Sequence, residues 1–241
     1  MMLRYFTLLA TLCYSWSTAA SVVVNTTRVI YSQNAKVVNV QLVNKSTTPH
    51  LVQTWIDDGN TETTPEKIVV PFSVAPAVVK IDSGEGQALK ISARNASELP
   101  ADRESVFWLN VLDVPPVPEV SEDRANYLQV ALRSRIKLFY RPQGLAVNVQ
   151  DIDQHLALRR QKGATCLDNQ SPYYVTLTQL TPWRGGDVKK TVNTNLLSET
   201  AFIAPFSCHV LPVQLTKSSQ YRIARMDDFG SKQYAVISYT L

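Results

Sequence analysis

"YLQVALRSRIKLFYRP", residues 127–142, reads as a β-strand whose two faces differ in kind. From Leu128 the even positions are Leu128, Val130, Leu132, Ser134, Ile136 and Leu138; the odd ones are Gln129, Ala131, Arg133, Arg135, Lys137 and Phe139. Successive side chains of a strand point to opposite faces, so one face is almost wholly apolar and the other carries three cations.

Similar runs extend on both sides. "SVVVNTTRVIYS", "KVVNVQLVNKS", "HLVQTWIDD", "IVVPFSVAPAVVKIDSG", "QALKISARN" and "VFWLNVLDV" precede it, each β-branched or alternating and bounded by Asn, Asp, Gly, Pro or Ser. After "YRPQG" the pattern resumes in "ATCLDNQSPYYVTLTQL", "AFIAPFSCHVLPV", "QYRIARMDDFG" and "KQYAVISYTL". No long stretch carries a 3.6-residue period. Strands at this spacing predict an all-β chain of two immunoglobulin-like sandwiches in tandem, residues 21–141 and 145–241, joined at 142–144. So short a link predicts a fixed angle between them, with a cleft that can hold a ligand.

The 241 residues are 45% hydrophobic and 18% charged, with a formal charge of +4, an ordinary balance that points to no nucleic acid. Near the N-terminus, Arg4 precedes "YFTLLATLCY" and then "SWSTAAS", where Thr18 and Ala20 suit a signal peptidase. The expectation is a signal peptide over residues 1–20, cut after Ala20, and an exported protein. Cys13 falls in that leader, leaving Cys166 and Cys208 for an oxidising compartment. A disulfide between them is the economical reading, worth about 3–4 kcal/mol by chain entropy, with two free thiols as the alternative.

Enzymatic readings find little support. His50, His155 and His209 are scattered, and HExxH, GxSxG, Walker A and GxGxxG patterns are absent. Neither a cofactor nor a nucleotide is expected. Arg28 in "NTTRVIY" and Lys137 are cations within apolar alternating strands, and such residues ordinarily face solvent. If both instead face the cleft, they make a pair suited to one carboxylate, Arg as a planar fork and Lys as a point charge.

"LPADRESVFWLNVLDVPP", residues 99–116, resembles the signature of the periplasmic chaperones of the chaperone/usher pilus pathway, the PapD-like family. "TRVIY", "RIKLFYRP", "SPYYVTL", "IAPFS" and "RMDDFG" fall in the family's order, so the resemblance covers the chain from residue 21 onward. It implies a fold and a set of roles. Arg28 and Lys137 would anchor the C-terminal carboxylate of a pilus subunit. Leu128, Val130 and Leu132 would be the alternating residues of a donor strand that completes the subunit's unfinished sandwich. Glu104, Arg141 and Asp228 would form a charged network that fixes the angle between domains. The implied partners are pilus subunits and the outer-membrane usher, in the periplasm and without ATP.

The resemblance also gives the striped strand a purpose. A subunit lacking its last strand exposes an apolar groove and unpaired backbone edges, an aggregation hazard that a donated strand covers. Register would follow from the cations, since a slip by one residue turns the stripe to the wrong face. The same exposed strand offers a route to self-association. The stretch "PVPEVSEDRAN" is of moderate length without cysteine, like the short-loop subgroup of the family. Arg133 and Arg135 receive no role, and a solvated sheet face accounts for them equally well. The rival reading is a secreted structural module, a pilus component or adhesin fragment.

Overall fold

A computed structural model describes residues 21–117, 127–190, 194–213, 215 and 220–240. The expected leader with Cys13, and residues 118–126 of the loop before the striped strand, lie outside the described residues.

The first nine strands are β1 (Val22–Val24), β2 (Arg28–Ser32), β3 (Val38–Asn44), β4 (His50–Asp57), β5 (Phe72–Ala75), β6 (Val78–Ile81), β7 (Gly86–Ala93), β8 (Ser105–Val114) and β9 (Leu132–Arg141). They form two sheets, ordered β1-β3-β7-β5 and β2-β9-β8-β4-β6. Alternation decides what lies between the sheets: Leu42, Leu89, Leu109 and Leu138 are wholly buried there. Phe72 sits amid this core, 5.2 Å from Tyr31 and 5.0 Å from Phe107 between ring centroids, edge to face in both cases.

The second set is β10 (Leu156–Gln161), β11 (Ala164–Asn169), β12 (Val175–Pro182), β13 (Ala201–Ile203), β14 (Ser207–Val210), β15 (Gln220–Met226) and β16 (Lys232–Thr240). Their hydrogen-bonded order is β13-β12-β15-β16-β10-β11-β14. β16 joins the two layers, running antiparallel along β15 and meeting β10 in parallel where Leu158 faces Tyr239. Together they wrap a separate core that includes Leu158, Leu167, Leu177, Leu180 and Ile223. A disulfide between Cys166 and Cys208 ties β11 to β14, Cα atoms 5.6 Å apart. The chain is thus all-β, two immunoglobulin-like sandwiches, with regular structure otherwise limited to short 3-10 turns among the described residues.

Two strand expectations change in detail. "SVVVNTTRVIYS" is not one strand: β1 pairs with β3 in one sheet, and β2 runs parallel to β9 in the other. The chain crosses between sheets at residues 25–27, which lets Val22 and Tyr31 enter the same core from opposite layers. The striped strand is also shorter than its pattern. β9 begins at Leu132, opposite Asp113, so Leu128 and Val130 precede it rather than belong to it. β8 ends at Val114 and Pro115-Pro116 follows, residues that have no N–H to continue a ladder.

Candidate functional site

The even face of β9 passes from core to solvent along a single strand. Leu138 is 0% exposed and Ile136 half-buried, whereas Leu132 is 51% exposed, and ahead of the strand Val130 is 53% and Leu128 88% exposed. The backbone edge changes over the same stretch. β2 pairs with residues 137–141 only, so residues 132–136 are flanked by β8 on one side and have no strand on the other among the described residues. An apolar face and an unpaired edge coincide on the same residues, a combination that folded proteins usually cover.

Where β2 begins, Arg28 lies directly beside Lys137 in the parallel ladder. Neighbours in register share a face, and this one turns toward the second sandwich. There Phe139 packs 5.8 Å from Tyr174 and 6.2 Å from Phe202 between ring centroids, and Lys137 Nζ lies 4.5 Å from the Phe202 ring centre. Partial burial lowers the pKa of Lys137, and the Arg28 charge lowers it further. Burial likewise lowers that of Arg28, against the raising pull of Asp228, Asp227 and Glu104. Neither cation makes an ion pair among the described residues, and Arg28 Nε is buried without a hydrogen-bond partner. The two cations thus lie side by side, half-buried and without an ion pair, although three carboxylates act on Arg28 without touching it.

Four residues further along β9, Arg141 is in the opposite condition. It donates from Nε to Glu104 Oε1 at 2.7 Å and through both terminal nitrogens to Asp228, at 2.6 and 2.8 Å. Burial works against its charge, but the hydrogen bonds to Asp228 and the charge of Glu104 outweigh burial and raise its pKa. Glu104 is buried, which pushes its carboxyl upward, while Arg141 and the Tyr174 N–H pull it back. The balance leaves its pKa above the ordinary glutamate value. Glu104 accepts from Tyr174 N at 2.9 Å, and its own N–H donates to Pro172 O at 2.9 Å, so it bridges the sandwiches by side chain and backbone.

Asp228 is aimed by the turn between β15 and β16. Asp227 Oδ1 accepts from the N–H groups of Phe229 and Ser231 at 3.0 and 2.7 Å, and Gly230 completes the turn at φ +80°. A side chain at Gly230 would collide with Thr27, the residue before Arg28, so the turn of one sandwich abuts the start of β2 in the other. Between them lies a cleft of about 390 Å³ whose walls include Arg28, Phe139, Arg141, Tyr173, Asp228 and Phe229. No group of three or more metal-ligating side chains occurs among the described residues.

The sequence-expected residues therefore form three neighbouring groups: Arg28 with Lys137, Glu104 with Arg141 and Asp228, and the exposed stripe. Leu132 is in β9, while Leu128 and Val130 stand just before it. Sequence reasoning missed the aromatic contacts of Phe139, Tyr174 and Phe202. It also missed Asp57, Trp55 and Trp108, which engage Arg133 and Arg135. Their one signal was a large aromatic or acid at alternate positions of "TWID" and "FWLN", on the face away from the apolar core.

These features define a two-domain immunoglobulin-like protein with an exposed strand face beside an interdomain cleft lined by charges of both signs. Residues 21–146 match the family described as "Pili and flagellar-assembly chaperone, PapD N-terminal domain", and residues 151–235 match "Pili assembly chaperone PapD, C-terminal domain". The chain belongs to this pilus-assembly chaperone family. It is 39% identical over 231 residues to the probable fimbrial chaperone YadV of Escherichia coli, covering 91% of this chain and 90% of that one. The CupB2 chaperone of Pseudomonas aeruginosa superposes with a TM-score of 0.73 at 31% identity, over 90% of this chain and all of that one. The SafB chaperone of Salmonella enterica, solved in complex with the SafA pilin, shares the fold at a TM-score of 0.73 and 22% identity, over 94% and 99% of the two chains. No helix among the described residues is long and apolar enough to cross a membrane.

Proposed function

We propose that the protein is a periplasmic chaperone that captures pilus subunits by lending them a strand and passes them to an outer-membrane usher. One observation carries this reading: the apolar face of β9 leaves the core and becomes solvent-exposed on the residues whose backbone edge is unpaired. An incomplete sandwich would add itself to that edge, and Leu132, Val130 and Leu128 would fill its groove. Strand addition is an established recognition mode, for which chaperone–pilin complexes are a known example. Each buried side chain contributes about 1.5–3 kcal/mol on transfer from water.

Arg28 and Lys137 would hold the subunit's terminal carboxylate and so set the register of the added strand. Arg141, Glu104 and Asp228 would keep the two sandwiches at the angle that forms the cleft, with residues 21–141 and 145–241 as the domains and 142–144 between them. Export would follow from cleavage after Ala20. Release would come by exchange, when another subunit's extension displaces the lent strand at the usher, and no nucleotide or other cofactor takes part.

The test is co-purification from periplasm with the pilin encoded beside the protein. The reading expects the pilin to survive and co-elute with the unaltered protein and to be lost with Lys137→Ala. Equal recovery of pilin with both, or in the absence of the protein, would overturn it.

A further inference from the structure

Arg133 and Arg135 occupy the face of β9 opposite the apolar stripe, and both reach across β8 to one residue of β4. Arg135 donates to Asp57 Oδ1 at 2.6 Å, and Arg133 donates to Asp57 Oδ2 at 3.4 Å and from Nε to Asn110 Oδ1 at 2.9 Å. Asn110, between them on β8, donates to Asp57 Oδ2 at 2.7 Å. The Arg133 guanidinium lies 4.9 Å from the Trp55 ring centre and that of Arg135 5.3 Å from Trp108. The Asp57 side chain is 1% exposed. Gly59, at φ +107°, donates its N–H to Asp57 Oδ1 at 2.8 Å and brings the backbone so close beneath Trp108 that a side chain there would not fit. One buried carboxylate thus ties three strands together.

The place of this tie matters more than its chemistry. Leu132 is exposed and residues 132–136 have one unpaired edge, so apart from Ile136, half-buried against the core, the segment is held by β8 alone. Segments with so few buried contacts are those that open most readily. Residues 127–131, immediately beyond the reach of Asp57, have no strand pairing. The tie is also specific for register. Arg135 faces Asn110, Asn110 faces Trp55, and Asp57 faces Trp108. A one-residue slip of β9 would carry both arginines to the other face and leave Asp57 buried without a counter-charge, the costly state of a broken buried pair.

We propose that Asp57 is a positioning residue for subunit capture: through Arg133 and Arg135 it holds residues 132–136 extended and in register before any subunit arrives. The role rests on the strand-lending reading above. It divides the stripe into a pre-paired part at Leu132 and an unpaired lead at Leu128 and Val130 that pairs only as the subunit zips on.

The experiment measures amide hydrogen exchange in the free mature protein and the rate of pilin capture, for the unaltered chain, Asp57→Asn, Arg135→Gln and the double variant. The role requires faster exchange at residues 132–136 with β15 unaffected. It also requires capture slowed by about tenfold, as when the competent conformer falls to about a tenth of molecules. Adding Arg135→Gln to Asp57→Asn should cost little more, since the Arg135–Asp57 ion pair is already lost with the carboxylate. Should Asp57→Asn fail to fold, Arg133→Gln and Arg135→Gln singly, each leaving Asp57 one arginine, carry the same comparison. Unchanged exchange at 132–136, or faster exchange with capture unimpaired, would overturn the role. Capture of no pilin by the unaltered protein would overturn the reading on which the role rests, and the role with it.

Discussion

Lys137 and Arg141 are cations four residues apart on the same strand and the same face, and the molecule treats them oppositely. Arg141 has two carboxylates, and its contacts run from one sandwich to the other. Lys137, with Arg28 beside it, has an aromatic ring and another cation but no acid among the described residues. Saturation marks the cation that belongs to the structure. On the proposed function, the cation kept half-buried without an ion pair is the one that an anion from another molecule would meet.

The largest contrast should come from removing each cation in turn. Arg141→Ala leaves Glu104 buried without its partner, and we expect a loss of about 3–5 kcal/mol in a denaturant titration, as for a broken buried pair. Stability as high as that of the unaltered protein would mean that the network does not hold the sandwiches together. Lys137→Ala should instead weaken pilin binding by about 2–5 kcal/mol, the range for truncating one partner of a charge pair across an interface. Its melting temperature should stay within about 2 °C, because no native ion pair is lost.

The even face of β9 extends the comparison to apolar residues. Leu132→Glu should cost about 1.5–3 kcal/mol in subunit binding and leave thermal unfolding almost unchanged. Leu138→Ala, three steps of the same alternation into the core, should lower stability by about 2–5 kcal/mol. A collapse of the melting temperature in Leu132→Glu would make the exposed stripe part of the core.

The smallest effect is a dependence on pH. Burial and the neighbouring Arg28 lower the pKa of Lys137, so in the free protein it loses its proton below the ordinary lysine value of 10.5. A carboxylate needs the charged form. Subunit affinity should therefore fall as pH rises through that lowered value, in the alkaline range, whereas Lys137→Arg should hold its affinity there. The sign for stability is opposite: with the native pKa depressed, the unfolded chain binds more protons between the two values, and stability rises with pH in that window. An affinity flat with pH up to the ordinary lysine range would remove Lys137 from the anchor.

Much of this was legible in the residues because alternation is a local property. The inward set of β9, Leu138 and Tyr140, and the outward set, Lys137 and Phe139, follow from position parity alone. What stayed hidden depends on partners distant in sequence. Nothing near residue 128 says that β8 will stop at Val114 and leave Leu128 and Val130 without a neighbour. Arg133 and Arg135 looked like solvated charges because their carboxylate is 76 and 78 residues away. The split of "SVVVNTTRVIYS" between two sheets is a choice made by the core, which both halves reach only by changing layer. The resemblance to the chaperone family named Arg28, Lys137, Glu104, Arg141 and Asp228. Residue chemistry alone had flagged only Arg28 and Lys137, as cations in apolar strands.

The most direct test of the central claim is a calorimetric titration with a peptide matching the pilin's last strand, as free acid and as C-terminal amide. Both forms are titrated into the unaltered protein and into Lys137→Ala. If the exposed half of β9 receives the strand and Arg28 with Lys137 receives its carboxylate, the free acid binds the unaltered protein at least about 30-fold more tightly than the amide, a gain of about 2 kcal/mol. That preference should shrink sharply in Lys137→Ala. Equal affinity of acid and amide for the unaltered protein, or a preference that survives Lys137→Ala intact, would contradict the account.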